Sequence, residues 1–255
     1  MKMPLTSAAN VFYLDSGRKF VNFASGTTNA FSVVNRANQT AIVQTTSGAQ
    51  PTYSGNGIQG TYAWRNNPGT QGSIPPGQSA LSFSGAQYLE YDALASQFSG
   101  TETAFAMVSL ASCSTPSSGT NTIWAAAATG AATPLLSLHC TGGNLVLTET
   151  SSGGTTSITS ATDTNPHVVS AIRTGTTLIL RVDGVQVGTA SIATPASQTY
   201  GTFTVGSQNS NGTNGSFFHG AIGQMLMFLG NADIDEVEAF LLVRMGLQRT
   251  NVFNS

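Results

Sequence analysis

From residue 80 onward the chain repeats one unit: a short run alternating apolar and polar residues, then a cluster of turn residues. "ALSFSGAQYLEY", "TAFAMVSLAS", "NTIWAAAATG", "PLLSLHC", "NLVLTETSS", "TTSITSAT", "HVVSAIRTG", "TLILRV", "VQVGTASIA", "GTFTVGSQ" and "SFFHGAIGQMLMFLG" follow one another at roughly ten-residue intervals. A period of two puts every second side chain on the same face of a strand. Strands so closely spaced, with no helical pattern between them, predict an all-β antiparallel sandwich or barrel and not βαβ units.

The clearest unit is "LILRVDGVQVGTASIA", residues 178–193. Asp183 and Gly184 separate two alternating runs. A two-residue Asp-Gly loop suits a type I′ turn, in which both central residues take positive φ. Leu178, Leu180 and Val182 are expected on one face, with Val185 and Val187 opposite them on the partner strand. Asp183 then serves the backbone and not chemistry. Gly184→Val should destabilise the fold, and Asp183→Asn should be close to neutral.

One segment departs from the strand pattern. "NADIDEVEAFLLVRMGL" carries Ile234, Val237, Phe240 or Leu241, and Met245 at helical spacing. Asn231 or Asp233 can cap its start, and Asp235, Glu236 and Glu238 complement the helix dipole there. Arg244 and Gly246 suit its end. The rest divides into an arm (1–10), a single jelly-roll domain (11–250) and a tail (251–255). Within the domain, residues 46–79 are so rich in Gly, Pro, Asn and Ser that an extended loop is expected.

Only 8% of the residues are charged, against a usual ~25%, and the formal net charge is −2. That balance gives nucleic-acid binding no electrostatic support. No stretch approaches the ~20 apolar residues of a membrane span. The first residues hold no apolar run of secretory-signal length, so synthesis in the cytosol without export is expected. Cys113 and Cys140 are too few for a disulfide scaffold. They are expected as buried thiols, or as one bridge if they lie on adjacent strands.

Taken together, "LSFSGAQYLEY", "PHVVSAIRTGTTLILRVDGVQVGTA", "FTVGSQNSNGTNGSFFHGAIGQMLMF" and "DIDEVEAFLLVRMGL" resemble the concanavalin A-like jelly-roll superfamily, and within it the laminin-G-like domains. The resemblance covers residues 80–247. "TTSGAQPTYSGNGIQG" is similar to the approach to the first core strand in phage versions of the fold. The resemblance implies an antiparallel two-sheet jelly roll with one short C-terminal helix. It does not fix function, because this fold hosts lectins, glycosidases, adhesion modules and virion proteins.

Candidate chemistry is sparse. The jelly-roll glucanases carry Glu-x-Asp-x-x-Glu on one strand, and this chain has no such run. Glu90 and Asp92 in "EYD" come nearest, as two carboxylates expected on one strand face. His139, His167 and His219 show no metal spacing. His139 and Cys140 alternate faces, so they make no dyad, and His167 is expected to pack or cap. No cofactor is expected. Many laminin-G-like domains bind calcium at one rim, which makes Asp163 a weak candidate ligand, with Asn209, Asn211 and Asn214 as amide donors. In "TYAWRNNPG", Tyr62, Trp64, Arg65, Asn66 and Asn67 could meet a glycan or a neighbouring subunit, since an aromatic in a loop hints at function more than one in a strand. Trp124 belongs in the core.

These features lead to the expectation of a non-enzymatic phage virion protein on the particle surface, either a capsid decoration protein or a small head or tail knob. Its partners would be other virion proteins, such as the major capsid protein, and further copies of itself, a trimer for example. Neither nucleic acid nor membrane would be a partner. The alternative is a lectin-like adhesion module for a host-surface glycan. A third reading is a glycoside hydrolase using Glu90.

Overall fold

The computed structural model describes residues 9–15, 21–23, 25–58, 78–98, 104–116, 118–129, 131, 136–151, 154–192, 199–210, 212–230 and 233–244. In chain order its strands begin with β1 (Ala9–Asp15), β2 (Val21–Phe23), β3 (Ala30–Asn35), β4 (Thr40–Val43), β5 (Thr52–Ile58), β6 (Gln78–Ser84) and β7 (Leu89–Glu90). Helix α1 (Asp92–Phe98) follows, then β8 (Phe105–Cys113), β9 (Thr120–Ala127), β10 (Leu136–Thr141), β11 (Asn144–Ser151) and β12 (Gly154–Ala161). The remainder is β13 (Pro166–Thr174), β14 (Thr177–Val182), β15 (Val185–Ser191), β16 (Thr202–Val205), β17 (Gln208–Ser210), β18 (Thr213–Gly215), β19 (His219–Leu229) and helix α2 (Ile234–Arg244).

Two antiparallel sheets pack face to face, as the alternating runs predict. The larger runs β15-β14-β13-β8-β19-β1-β3-β2, with β4 added on β3, β6 on β19 and β5 on β6. The smaller runs β12-β11-β10-β9-β16-β7, and β17 and β18 form a separate hairpin. Strand β19 is shared on one side by two partners: His219–Ile222 pairs with β6, and Gln224–Leu229 pairs with β1. Its other side pairs with β8 along the strand.

The central strands are apolar on both faces because the larger sheet is covered twice. Along β8, Phe105, Met107, Ala111 and Cys113 face the smaller sheet, where they join Trp124, Leu138, Leu147 and Phe203 in the main core. Ala106, Val108 and Leu110 face the other way and meet Ile234, Val237, Phe240 and Leu241 of α2 in a second core. This explains the uninterrupted apolar run of "TAFAMVSLAS", which strict alternation would not produce. The smaller sheet turns its larger apolar side chains to the main core. Its outer side carries hydroxyls, such as Thr148 and Ser157, which lie 3.1 Å apart and exposed.

Polar ties fix the layers. Arg181 on β14 holds Glu238 of α2 through both carboxylate oxygens, at 3.0 and 2.9 Å, and also binds Asp235. The two acidic residues thus dock the helix in addition to lying at its positive end. Between the sheets, Arg173 Nη1 lies 2.8 Å from Glu149 Oε1, with the side chains 4% and 0% exposed. Burial pushes the Glu149 carboxyl upward, and the Arg173 charge opposes that.

The Asp183-Gly184 turn has the geometry its sequence suggests, with φ of 50° and 78°. Leu178 and Leu180 enter the core, and Val182 packs against it. Val185 lies opposite Val182 as expected, though 61% exposed, whereas Val187, 38% exposed, loses its place in the register. A bulge opposite Leu180/Arg181 shifts the register so that Leu180 pairs with Gly188 and Val187 has no cross-strand partner.

Other expectations need revision. Ala9 and Asn10 belong to β1, so the arm ends sooner than the sequence suggests. Within the expected loop of 46–79, Ser47–Ala49 forms a 3₁₀ turn, and Thr52–Ile58 and Gln78–Ser84 are paired strands. The register shift between Ser54 and Ile58 accommodates Gly55 and Gly57 in β5, where glycine commonly marks a bulge. Helix α1 was not anticipated. Leu94 and Ala95 bury into the main core, but a seven-residue helix spans too few turns to reveal a period.

Candidate ligand-binding site

At one edge of the smaller sheet, β7 pairs with β16, so that Leu89 lies opposite Val205 and Glu90 opposite Thr204. Leu89 and Val205 point into the core beside Trp124. Alternation therefore turns Glu90 and Thr204 to the outer face. The chain then leaves β16 and folds back as the β17–β18 hairpin. Gly212, at φ 79°, donates its N–H to Asn209 Oδ1 at 3.0 Å and closes that turn. The Asn214 carbonyl oxygen accepts the Ser207 hydroxyl at 3.1 Å. That bond leaves the Asn214 amide to donate to the Glu90 carboxylate.

Asp92, the first residue of α1, lies against the same carboxyl. Burial, then repulsion from Asp92, pushes the Glu90 carboxyl above the usual carboxylate range, and the hydrogen bond from the Asn214 amide opposes that rise. Next to this pair the hairpin encloses a cavity of about 270 Å³ lined by Gln208, Ser210, Thr213, Asn214, Gly215 and Ser216. Ser216 holds φ 47°, a left-handed conformation that costs a non-glycine residue energy and often marks a functional position. Its carbonyl accepts the Thr122 N–H at 3.0 Å. The Thr122 hydroxyl, fully buried, makes no hydrogen bond of its own. The niche thus gathers amides, hydroxyls and backbone groups, with the Glu90 carboxyl held behind Asn214, a set suited to a polyhydroxylated ligand.

The sequence offers Glu90 and Asp92 as a carboxylate pair and Asn214 as a calcium ligand, and the structure brings the three together. Glu90 and Asp92 do not lie on one strand face, because Asp92 opens α1. Tyr62, Trp64, Arg65, Asn66 and Asn67 lie outside the described residues.

Asp163 has both carboxylate oxygens occupied by donors. Oδ1 accepts the Asn165 N–H at 2.7 Å and His167 Nε2 at 3.0 Å, and Oδ2 accepts the Asn165 amide at 2.7 Å. Those oxygens are turned toward donors and away from the calcium role that the resemblance implies. Among the described residues, no group of three or more His, Cys, Asp or Glu side chains is placed to hold a metal ion. His167 also reaches Asp183 through Nδ1, and its placement between two carboxylates is one the sequence did not reveal. Cys113 and Cys140 are buried and unbridged, one on each sheet, with their thiols in contact. Trp124 is fully buried and stacks on Phe203.

No protein-family model matches the chain, and no curated protein matches it. Solved structures do. The binding domain of botulinum neurotoxin DC, determined in complex with rat synaptotagmin II, superposes with a TM-score of 0.54 at 15% identity, covering 96% of this chain and 53% of that one. A structure of botulinum neurotoxin type C, whose cell entry is dependent upon interaction with two ganglioside molecules, gives 0.53 at 15% identity, covering 96% of this chain and 52% of that one. The chain therefore spans about half the length of these toxin structures. The CBM40 of Ruminococcus gnavus IT-sialidase, bound to α2,3-sialyllactose, gives 0.52 at 14% identity, covering 63% of this chain and 95% of that one. At these identities the likeness establishes the fold, an antiparallel β-sandwich.

Proposed function

We propose that this chain is a glycan-binding module that acts by adhesion and not by catalysis. The observation that carries this is the niche where Asn214 bridges Ser207 and Glu90 beside a cavity walled by hydroxyls and amides. Sugar hydroxyls are both donors and acceptors, and a site of fixed amides, carboxyls and backbone groups satisfies both capacities. Two similar solved structures, a sialyllactose complex and a toxin whose cell entry depends on gangliosides, support this reading. The particle-surface role expected from the sequence has no structural observation of its own.

The test is a glycan array followed by calorimetry on the best ligand. Wild-type protein should bind at least one glycan class, and Asn214→Ala should weaken that binding about tenfold or more while the melting temperature stays within a few degrees. Trp64→Ala puts the same question to the loop. An array without any bound glycan would overturn the proposal. Binding left unchanged by Asn214→Ala would move the site elsewhere.

A further inference from the structure

We infer that the niche between Glu90 and the β17–β18 hairpin selects uncharged sugar residues and rejects acidic ones, sialylated and sulfated sugars among them. The inference rests on the glycan-binding proposal and narrows it.

The first argument is the lining. Gln208, Ser210, Thr213, Asn214, Gly215 and Ser216 offer amide, hydroxyl and backbone groups, and none carries a charge. The ionisable groups tied to that lining through the Asn214 amide, Glu90 and beside it Asp92, are both acids. A ligand carboxylate or sulfate brought beside them meets like charge in a partly buried setting, where water screens less. A neutral sugar meets only acceptors for its hydroxyl hydrogens.

The second argument concerns the cations. Proteins recognise anionic groups chiefly by charge-assisted bonds from arginine, often bidentate. Every arginine with a described side chain already holds a carboxylate. Arg36 binds Asp15, Arg173 binds Glu149 between the sheets, and Arg181 binds Asp235 and Glu238 on α2. None of these guanidinium groups is left to counter a ligand anion. The fold shared with a sialyllactose-binding module thus comes with a niche of the opposite charge preference.

The experiment compares matched pairs: lactose against 3′-sialyllactose by calorimetry, and neutral array glycans against their sialylated or sulfated counterparts. At pH 7 and low salt the neutral member should bind about tenfold or more tightly. Glu90→Gln combined with Asp92→Asn should shrink that ratio to about threefold or less. Wild-type protein gives an independent measure that needs no variant to fold. Added salt should strengthen the binding of the acidic member and leave the neutral member unchanged, because screening relieves repulsion. Equal or tighter binding of the acidic members would overturn the inference and leave glycan binding standing. If no member of either set bound, the inference would fall together with the proposal beneath it.

Discussion

Asp183 Oδ2 lies 2.8 Å from Nδ1 of His167, while Oδ1 of the same carboxylate accepts the Val168 N–H at 2.9 Å. The residue that turns the β14–β15 hairpin therefore also ties it to the start of β13. The hydrogen bond to Asp183, helped by Asp163, raises the His167 imidazole above its ordinary value. Stability from a raised histidine is fully present below the unfolded value of about 6.5 and is lost as pH rises through the folded value. Asp183→Asn, close to neutral when only the turn is considered, should with this pair cost about 1 kcal/mol at pH 6, since the pair is partly exposed, and much less at pH 9. Thermal melts at the two pH values check this; an equal loss at both would mean that the turn and not the ion pair is being perturbed.

Gly184→Val should be worse and independent of pH. Gly184 sits at φ 78°, which a β-branched residue adopts only under strain. A loss of about 2 kcal/mol is expected, read as a shift in the urea midpoint.

The Arg173–Glu149 pair should behave as a buried ion pair. Arg173→Met leaves Glu149 charged and uncompensated, at a cost of about 3–5 kcal/mol. The double variant Arg173→Met with Glu149→Met should recover much of that loss, because no charge is then buried. Urea denaturation of both variants and of wild type measures the recovery, and a double variant as unstable as the single would refute it.

The two thiols should differ in reactivity. The hydrogen bond from Cys140 lowers the Cys113 thiol, whereas Cys140 is pushed up by the same bond and by burial. Both are buried, so alkylation in the native state should be slow. Mass spectrometry after brief exposure to iodoacetamide should find the label on Cys113 first, and denaturant should expose both.

Features of the fold that were legible in the sequence were local ones. The Asp183-Gly184 turn and the 3.6-residue period of α2 each lie within a single stretch of chain. Val187 has no cross-strand partner because a bulge is set by the partner strand, which no local alternation reveals. Strand β5 was hidden by its glycines. The candidate site was hidden differently. Glu90 and Asn214 are far apart in sequence, and they meet only because β7 takes the sheet edge beside β16 and the hairpin folds back over it. The amide-rich run "SQNSNGTNG" was the available signal, and it was read for calcium.

The sharing of β19 between β6 and β1 bears on how the molecule is made. Gln224 binds Asp15 across 209 positions of chain. As the ribosome delivers the polypeptide, β1 must wait for nearly everything after it before its principal neighbour exists. Contacts so remote in sequence slow the search for the native state. Strand β8, already flanked by β13 on one side, must likewise hold its other edge open. The final strand inserts into a gap bordered by β8 on one side and by β1 and β6 on the other, and with its arrival the larger sheet becomes continuous.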